Sequence, residues 1–372
     1  MNAIKNYFSE RKSNYDKKMQ EFKILDKDEK RRSVINGIID KALYIIIVLL
    51  VIVVTIDNPR FVSSSSIINI LTLSSTRLII ALGIAGCIVL QGTDLSAGRM
   101  IGLSAVISAS LLQSPTYAAK MYKTLQWLPA EGQIIGQILA TMLIAMTVCG
   151  VVGLFNGWVI AKFRLHPFIV TLATKLIVYG LALIYVTFGS NGGAPIGGLD
   201  SRYTAFVTGN VFGSSEFTVP WVVVYAIVFT IFMWFVWNKT VFGKNMFAVG
   251  CNEEAAKVSG VSVFWITVSV FAIAGLCYGL GGFLESARVG SNTATTGTDY
   301  ETDAIAACVI GGVSFAGGIG KISGVIIGVI LLQLINSALV FLNVDGAITY
   351  IVRGSIILVA CAIDMRKYLI KK

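Results

Sequence analysis

The chain has 372 residues, of which 55% are hydrophobic and 13% are charged. About a quarter of the residues of a soluble domain are charged, so this chain has too few polar side chains to cover a soluble enzyme of its length. Intrinsic disorder is also excluded, because disordered chains combine low hydrophobicity with high net charge. The composition therefore predicts an all-α polytopic membrane protein.

The formal net charge is +10, and its distribution along the chain is informative. Residues 1–41 carry eleven basic and seven acidic side chains, and further Lys and Arg residues flank the apolar segments. This pattern is typical of the signal that keeps basic segments of membrane proteins in the cytoplasm. We therefore expect residues 1–40 to be a basic cytoplasmic tail, and we expect no nucleic acid as a partner.

Ten apolar segments predict about ten transmembrane helices, because about 20 apolar residues cross the hydrocarbon core of a bilayer. The segments are 42–56, 67–90, 97–112, 134–161, 168–188, 219–236, 261–284, 304–315, 322–342 and 348–363. One or two helices should be short or broken, since the eighth segment is too short to span and the second carries polar residues 74–77 at its midpoint. Ten spans make 41–365 one transmembrane domain and return the basic tail 366–372 to the cytoplasm.

The polar segments between these spans leave alternatives open. On this count the long loops lie on the external side of the membrane: 113–133, 189–218 and 285–303. The second of them is rich in glycine and is either a docking surface for an external partner or a flexible connector. On the inner side, the polar stretch 91–99 is either a simple hairpin turn or irregular backbone that lines a cavity or is buried in protein.

Cysteine and histidine give little scope for chemistry. No two of the six cysteines have the CxxC spacing, and five lie in apolar segments, where cysteine acts as a small hydrophobic residue. His166 is the only histidine, so neither a histidine-based metal site nor a catalytic triad is expected. Paired carboxylates and nucleophiles with a base are not visible either. We expect no catalytic residue, no metal and no cofactor in this chain.

The stretch 238–260 predicts a short helix between two spans. Asn252 suits an N-cap, and Glu253 and Glu254 lie in the first turn, where the helix dipole favours acids. Gly260 suits the C-terminal stop. The segment in full is Asn252, Glu253, Glu254, Ala255, Ala256, Lys257, Val258, Ser259 and Gly260. Its small apolar surface could dock into a partner's groove or lie on the bilayer surface.

Four charged residues lie within or at the ends of spans: Arg77, Lys175, Glu285 and Arg353. Charge inside a membrane is costly, so each needs a partner or a water-filled path. Glu285 could pair locally with Arg288. Arg77 and Lys175 are the better candidates for lining a pathway, with a structural ion pair or snorkelling to the interface as the alternative for each.

Two glycine-containing stretches of the chain, 219 residues apart, have similar sequences. Residues 97–98 match 316–317, and 104–107 match 323–326, in copies that share one predicted orientation, so the match does not demonstrate an inverted repeat. Small residues four apart let helix backbones approach closely in lipid. The glycines expected at helix contacts are Gly98, Gly102, Gly317, Gly320, Gly324 and Gly328. The run 317–321 lacks two residue types of a phosphate-binding loop and predicts a tight turn instead.

Four stretches resemble the sugar-importing permeases of bacterial ABC transporters. They are 91–98, the start of the fifth span at 167–172, the helix at 252–260, and 303–315. The sequence Gly-Thr-Asp-Leu-Ser-Ala-Gly-Arg at 92–99 is more similar to the galactose/methyl-galactoside branch than to the ribose branch. The resemblance covers about residues 40–365, which makes the transmembrane domain a permease domain.

The resemblance implies a subunit of the bacterial cytoplasmic (inner) membrane that translocates a monosaccharide such as galactose, a methyl-galactoside or glucose. It implies three partners: a second permease subunit in a homodimer, a cytoplasmic ATPase with two nucleotide-binding domains that holds ATP and magnesium, and a periplasmic or lipid-anchored sugar-binding protein. It also makes 252–260 the coupling helix of the loop 238–260. Sugars prefer hydroxyl and amide partners, which makes Asn69, Thr72, Ser74, Ser75 and Gln91 pathway candidates. Arg77 and Lys175 join them as charged residues within spans.

Two other functions remain possible at this stage. A permease of the same family could carry ribose or a nucleoside. An ion-coupled secondary transporter would need acidic residues deep in the spans. The acids of this chain are expected at span ends or in loops, which argues against it.

Overall fold

The computed structural model describes residues 47–125, 127–188, 191–213 and 218–369. The chain divides into two units, 1–49 and 50–372, and of the first unit the structure describes residues 47–49 only. The predicted basic tail 1–40 therefore lies outside the described residues, as do residues 370–372 of the C-terminal tail.

The described part of the chain is helical, with one small β-hairpin. The helices are α1 (Ile47–Asp57), α2 (Ser64–Val89), α3 (Ala97–Leu111), α4 (Ile135–Phe163), α5 (Pro167–Thr187), α6 (Ser201–Thr208), α7 (Trp221–Lys239), α8 (Val241–Cys251), α9 (Glu253–Val258), α10 (Val263–Val289), α11 (Tyr300–Ile310), α12 (Ile322–Phe341) and α13 (Gly346–Leu369). A 3₁₀ turn, Pro59–Val62, precedes α2. The hairpin strands β1 (Asn210–Gly213) and β2 (Thr218–Pro220) pair antiparallel.

Six of the described helices are long and apolar enough to cross a membrane: α2, α4, α5, α7, α10 and α12. Three shorter apolar helices accompany them, namely α1, α3 and the apolar part of α13, Gly346–Ala362. The prediction of a polytopic helical membrane protein is confirmed. The polar midpoint of α2 does not break the helix. The hydroxyls of Thr72 and Ser75 donate hydrogen bonds to the backbone carbonyls of Ile68 and Leu71, each at 2.7 Å, so these polar groups are satisfied within the helix.

The sequence leaves 189–218 open as either a docking surface or a flexible connector, and the described residues of this segment are folded. They contain α6 and the β-hairpin, and the buried Tyr203 of α6 donates to the carbonyl of Phe283 at 2.6 Å. Gln113 bridges to Leu199, and Ile196 bridges to Asn292. We call this end of the bundle the α6 end. The opposite end, where α2 and α8 finish and α9 lies, we call the α9 end.

Helix α10 forms the centre of the bundle and packs against α2, α3 and α4. Glycines make its crossing with α4 close: a Cβ at Gly153 would meet the carbonyl of Phe271, and a Cβ at Gly275 would meet the carbonyl of Cys149. Such contacts bring two backbones together where no hydrophobic effect drives association in lipid. The sequence interpretation missed these two glycines.

The predicted packing glycines lie at three contacts. A Cβ at Gly98 would meet the Glu301 carboxylate, and one at Gly102 would meet the carbonyl of Thr296. On α12, Gly324 and Gly328 lie against backbone atoms of Gly311 and Ala307. The last two belong to the turn after α11: Gly317, with φ +82°, lies against Gln91 and Gly250, and Gly320 lies against Val89. The positive φ at Gly317 is the geometry expected of a tight turn.

Helix α11 occupies about half the depth of the bundle. Its eleven residues span roughly 16 Å at 1.5 Å per residue, against about 30 Å of hydrocarbon. Its far end and the turn that follows reach the α9 end, where the Gly318 amide donates to the carbonyl of Val89 at 2.9 Å. Its start lies beside Arg77 and Lys175, which are near the midpoints of α2 and α5. The predicted short eighth span is therefore confirmed, although it begins four residues earlier than expected.

Candidate functional site

The short helix α9 forms as the sequence predicts, and its own segment supplies its caps. The Asn252 Oδ1 accepts from the Ala255 amide at 3.0 Å. At the other end Gly260 has φ +82°, its amide donates to the Lys257 carbonyl at 2.9 Å, and the Val261 amide donates to the Ala256 carbonyl at 3.0 Å. This is the Schellman pattern of helix termination. Its predicted role in docking stays a prediction.

Most of the surface of α9 is free of the rest of the chain. The side chain of Val258 is 90% exposed, and Ala255 and Glu254 are exposed, whereas Ala256 is buried against the bundle. The Lys257 Nζ lies 2.8 Å from both the Glu253 and the Glu254 carboxylates. The hydrogen bond from Lys257 lowers the pKa of Glu254 from its ordinary value. The helix therefore presents a small apolar patch bordered by ionised side chains.

Backbone contacts connect α9 to two distant parts of the bundle. A Cβ at Gly250, at the end of α8, would collide with the carbonyl of Val89 and would press on the amide of Gly318. The Gln91 Nε2 donates to the Gly250 carbonyl at 3.0 Å. A displacement of α9 and α8 would therefore be transmitted to the end of α2 and to the turn between α11 and α12. Gln91, a predicted pathway residue, lies at this end, about four helical turns along the chain from Arg77.

An open cavity of about 480 Å³ lies beside α9, between it and the turn that joins α4 to α5. Polar and charged side chains on its walls include Gln91, Arg164, His166, Glu253 and Lys257. Arg164 ends α4 with φ +52°, and the His166 Nδ1 accepts from the Phe168 amide at 3.3 Å to cap α5. A partner protein seated on α9 would have room for a side chain in this cavity.

Most of the polar stretch before α3 is buried in protein, which favours the interpretation as irregular buried backbone over a simple hairpin turn. Asp94 and Ser96 are fully buried. The Asp94 Oδ1 accepts from the Ser96 amide at 2.9 Å and from its hydroxyl at 2.5 Å. Asn156 of α4 donates to the Ser96 hydroxyl at 3.2 Å, and Thr174 of α5 donates to Asn156 at 2.6 Å. This network fixes the start of α3 between α4 and α5.

A second polar region lies where α11 begins. Arg77 and Arg353 both pair with Asp303, at 3.0 and 3.7 Å, and Lys175 pairs with Glu301 at 2.5 Å. The cationic side chains of these pairs are 21–28% exposed although they lie on apolar helices. Charged groups at membrane depth face water or protein and not lipid tails. We call these five side chains together the mid-depth polar face, although the Glu301 carboxylate itself is buried.

A second chain of contacts extends this face towards the α6 end. The Arg77 guanidinium lies over the Tyr300 ring at 3.3 Å from its centroid. The Tyr300 hydroxyl donates to the buried Glu285 at 2.5 Å, and Arg288 donates to both Glu285 oxygens, at 2.9 and 2.5 Å. The predicted local pair of Glu285 and Arg288 is confirmed. The sequence interpretation named neither Tyr300 nor a partner for Arg77.

One premise of the sequence interpretation is wrong. It expected the acids at span ends or in loops, but the structure places Glu301 and Asp303 against the middles of α5 and α2 and buries Glu285. The reason is that α11 begins at half depth, so its first turn is inside the bundle. Each of these three carboxylates already pairs with an Arg or Lys, and none is left as a free ion-binding acid.

The other predicted pathway residues lie apart from this face. Ser74 and Ser75 are buried and line a largely apolar cavity of about 300 Å³ between α2, α7 and α12. Asn69 is exposed and Thr72 is half-buried, one to two turns nearer the start of α2. Arg77 and Lys175 are the two candidates that the structure brings to the mid-depth polar face.

Residues 66–361 match the family described as the permease component of the branched-chain amino acid transport system. This stretch includes the mid-depth polar face, the buried loop before α3 and helix α9. The chain belongs to this permease family.

Characterised relatives cover nearly the full length of the chain. The galactose/methyl galactoside import permease protein of Escherichia coli (strain K12) is 44% identical over 342 residues, which are 92% of this chain and 98% of that protein. Its namesake in Haemophilus influenzae is 46% identical over 331 residues, 89% and 95% of the two chains. The ribose import permease protein of Bacillus subtilis (strain 168) is 33% identical over 341 residues, 91% and 97%. No solved structure matches the chain. The resemblance stated from the sequence is confirmed.

Proposed function

We propose that this chain is the transmembrane permease subunit of a binding-protein-dependent ABC importer in the cytoplasmic membrane. Its cargo is a monosaccharide, with galactose or a methyl-galactoside favoured over glucose. The observation that carries the proposal is the identity of 44% and 46% with two galactose/methyl galactoside import permeases over about nine-tenths of the chain. Ribose is the alternative cargo, supported by the more distant ribose permease.

The proposal orients the bundle with its α9 end in the cytoplasm. Basic residues gather at this end: Lys162, Arg164, Lys239, Lys244 and Lys257. Lys and Arg in short loops favour the cytoplasmic side. Counting the short helices α1, α3, α11 and α13 with the six long ones gives ten, and an even number leaves both termini in the cytoplasm.

Helix α9 is the coupling helix in this proposal. A cytoplasmic ATPase with two nucleotide-binding domains binds ATP and magnesium and grips α9, while this chain binds neither. The exposed patch of Ala255 and Val258 supports the assignment, because an apolar patch on a capped helix suits a partner's groove. Closure of the ATPase would move α9 with α8, and the contacts at Gly250 would carry that movement to α2 and to the turn after α11.

Two copies of the chain form the passage in this proposal. Each contributes its mid-depth polar face, which needs a polar environment that a lipid bilayer does not supply. A sugar-binding protein delivers the cargo to the α6 end, where α6 and the β-hairpin form a folded surface. High-affinity selection then belongs to that protein, and the permease needs only weak contacts that release the sugar.

Reconstitution tests the proposal directly. Vesicles would contain the full chain, its ATPase and its sugar-binding protein, and the uptake of labelled galactose and ribose would be measured. We expect galactose accumulation that requires ATP, magnesium and all three components. Ribose accumulation without galactose uptake would show that the cargo is ribose and not galactose. Uphill uptake by the chain alone under a proton or sodium gradient would reject the importer and favour the secondary transporter.

A further inference from the structure

The segment between α10 and α11 is not an outer loop, although the sequence interpretation placed 285–303 outside. Helix α10 continues to Val289, and the chain is then tied to the α6 end, where the backbones of Asn292 and Ile196 pair at 2.7 and 3.0 Å. From there it runs along α3, where Thr296 and Gly297 lie against Gly102 and Gly98. It ends at half depth, where α11 begins.

Irregular backbone at membrane depth is tolerated only where it is buried in protein or lines a water-filled cavity. In this segment Gly297 is buried, whereas Thr295, Thr298 and Asp299 are exposed, and Thr302 in the first turn of α11 is exposed as well. Helix α11 itself is a half-helix that begins at the middle of the bundle, and half-helices of this kind mark substrate sites in transporters. The exposed side of the segment is therefore expected to be wet.

The side chains around this exposed side suit a sugar. The Thr298 hydroxyl accepts from Arg99 at 3.1 Å and donates to the Thr295 carbonyl at 2.5 Å. Arg99 in turn lies over the Tyr179 ring at 4.1 Å from its centroid. Among the described residues, no hydrogen bond from the Thr302 hydroxyl is found. Hydroxyls, a cation and an aromatic ring are groups that recognise a neutral polyhydroxylated ligand.

Resting on the proposed function, we propose that Thr295, Thr298, Asp299 and Thr302 contact the sugar as it passes through the permease. We call these four residues the threonine wall. They stand at the level of the Lys175–Glu301 pair, whose partly exposed Nζ belongs to the same wet surface. Contacts from four exposed side chains give weak binding, which suits a passage that must release its cargo.

The first experiment pairs Thr302→Val with a sugar that lacks one hydroxyl. Valine keeps the shape of threonine, so the fold is retained. Uptake at saturating sugar-binding protein is expected to fall about two- to tenfold, the effect of losing one hydrogen bond between neutral groups. ATP hydrolysis stimulated by the loaded binding protein is expected to be unchanged. Galactose analogues that each lack one hydroxyl would also be compared. For one of them, uptake by the wild type should already be slow, and Thr302→Val should lower its uptake rate no further.

The matched control is Thr187→Val, at an exposed threonine near the α6 end of α5. Its uptake rate and its response to each analogue should equal those of the wild type. If Thr302→Val, Thr295→Val and Thr298→Val all transport every analogue as the wild type does, the threonine wall is rejected while the proposed function stands. If the wild type transports no sugar, the proposed function itself fails.

A second experiment does not depend on transport. Cysteine would replace Thr295, Thr298 or Thr302 in the assembled transporter, in a background where Cys251 and Cys361 are alanine because the other four cysteines are buried. A charged, membrane-impermeant thiol reagent should modify these positions, which shows a wet surface. Modification only by a lipid-soluble maleimide, or no modification by either reagent, would overturn the proposal, because the positions would then face lipid or be sealed by protein.

Discussion

Helix α9 is held by residues of its own segment, whereas helix α11 is held by side chains from three other helices. The caps and ion pairs of α9 all come from 252–261. The carboxylates of α11 pair with Lys175 of α5, Arg77 of α2 and Arg353 of α13. The difference separates a helix whose caps and ion pairs are local from one whose position depends on the arrangement of the whole bundle.

The comparison predicts that replacing a carboxylate by an amide will lower stability far more in α11 than in α9. Asp303→Asn removes the charge that compensates both Arg77 and Arg353. Leaving a largely desolvated cation without its partner costs about 3 kcal/mol of unfolding free energy. The thermal stability of the purified permease should show a large decrease.

The matched control for that experiment is Glu254→Gln on α9, where the carboxylate is 82% exposed. The same change from carboxylate to amide should leave thermal stability almost unaltered, because exposed ion pairs contribute little. Equal losses in the two variants would mean that α11 is not held by its ion pairs. The second ion pair of α11 joins Lys175 and Glu301. Replacing both partners, with Lys175→Met and Glu301→Gln together, should lower thermal stability less than Glu301→Gln alone.

Close packing beneath α11 gives the next largest effect. Gly98→Ala places a methyl group against the Glu301 carboxylate and the Gly297 carbonyl, so α3 or α11 must shift. Overpacking of this kind costs about 1–3 kcal/mol. Gly180→Ala on α5 is the control, because nothing lies within 4 Å of the new methyl group. There the higher helix propensity of alanine should raise stability slightly. Thermal unfolding measures the change in stability of both variants. Unchanged stability in Gly98→Ala would contradict the close contact.

The exposed surface of α9 should affect a partner and not the fold. Ala255→Arg adds a long charged side chain to the proposed ATPase contact and is expected to weaken association at least tenfold, or about 1.4 kcal/mol. Ala205→Arg makes the same change on the exposed side of α6, at the opposite end of the bundle. Co-purification with the ATPase measures the difference. If Ala255→Arg keeps full association and transport, the coupling assignment is wrong.

The same contrast explains what the sequence could reveal. Helix α9 was predictable because its caps lie within nine residues of one another. The apolar spans were predictable from hydropathy alone. The partner of Arg77 was not, because Asp303 lies 226 residues away and no local pattern links the two.

The segment 293–299 was misplaced for a related reason. A polar, threonine-rich run looks the same to hydropathy whether it faces external solvent or lines a wet passage. The run 291–298 contains no Lys or Arg and contains seven Ser, Asn, Thr or Gly residues. That composition fits either location. Its contacts with Gly98, Arg99 and Gly102 of α3 place it inside the bundle.

The smallest expected effect concerns the α6 end, where Asp200 accepts from Arg202 Nε and Nη2 at 2.9 and 2.7 Å. These hydrogen bonds hold the pKa of Asp200 below its ordinary value. A carboxyl whose pKa is lower in the folded state stabilises the fold above its unfolded pKa of about 3.9, and the contribution is lost as the pH falls through the folded pKa. Between about pH 5 and pH 3 the wild type should therefore lose slightly more thermal stability than Asp200→Asn, which cannot titrate at this position. Parallel pH profiles for the two proteins would show that this pair contributes nothing to the stability of the α6 end.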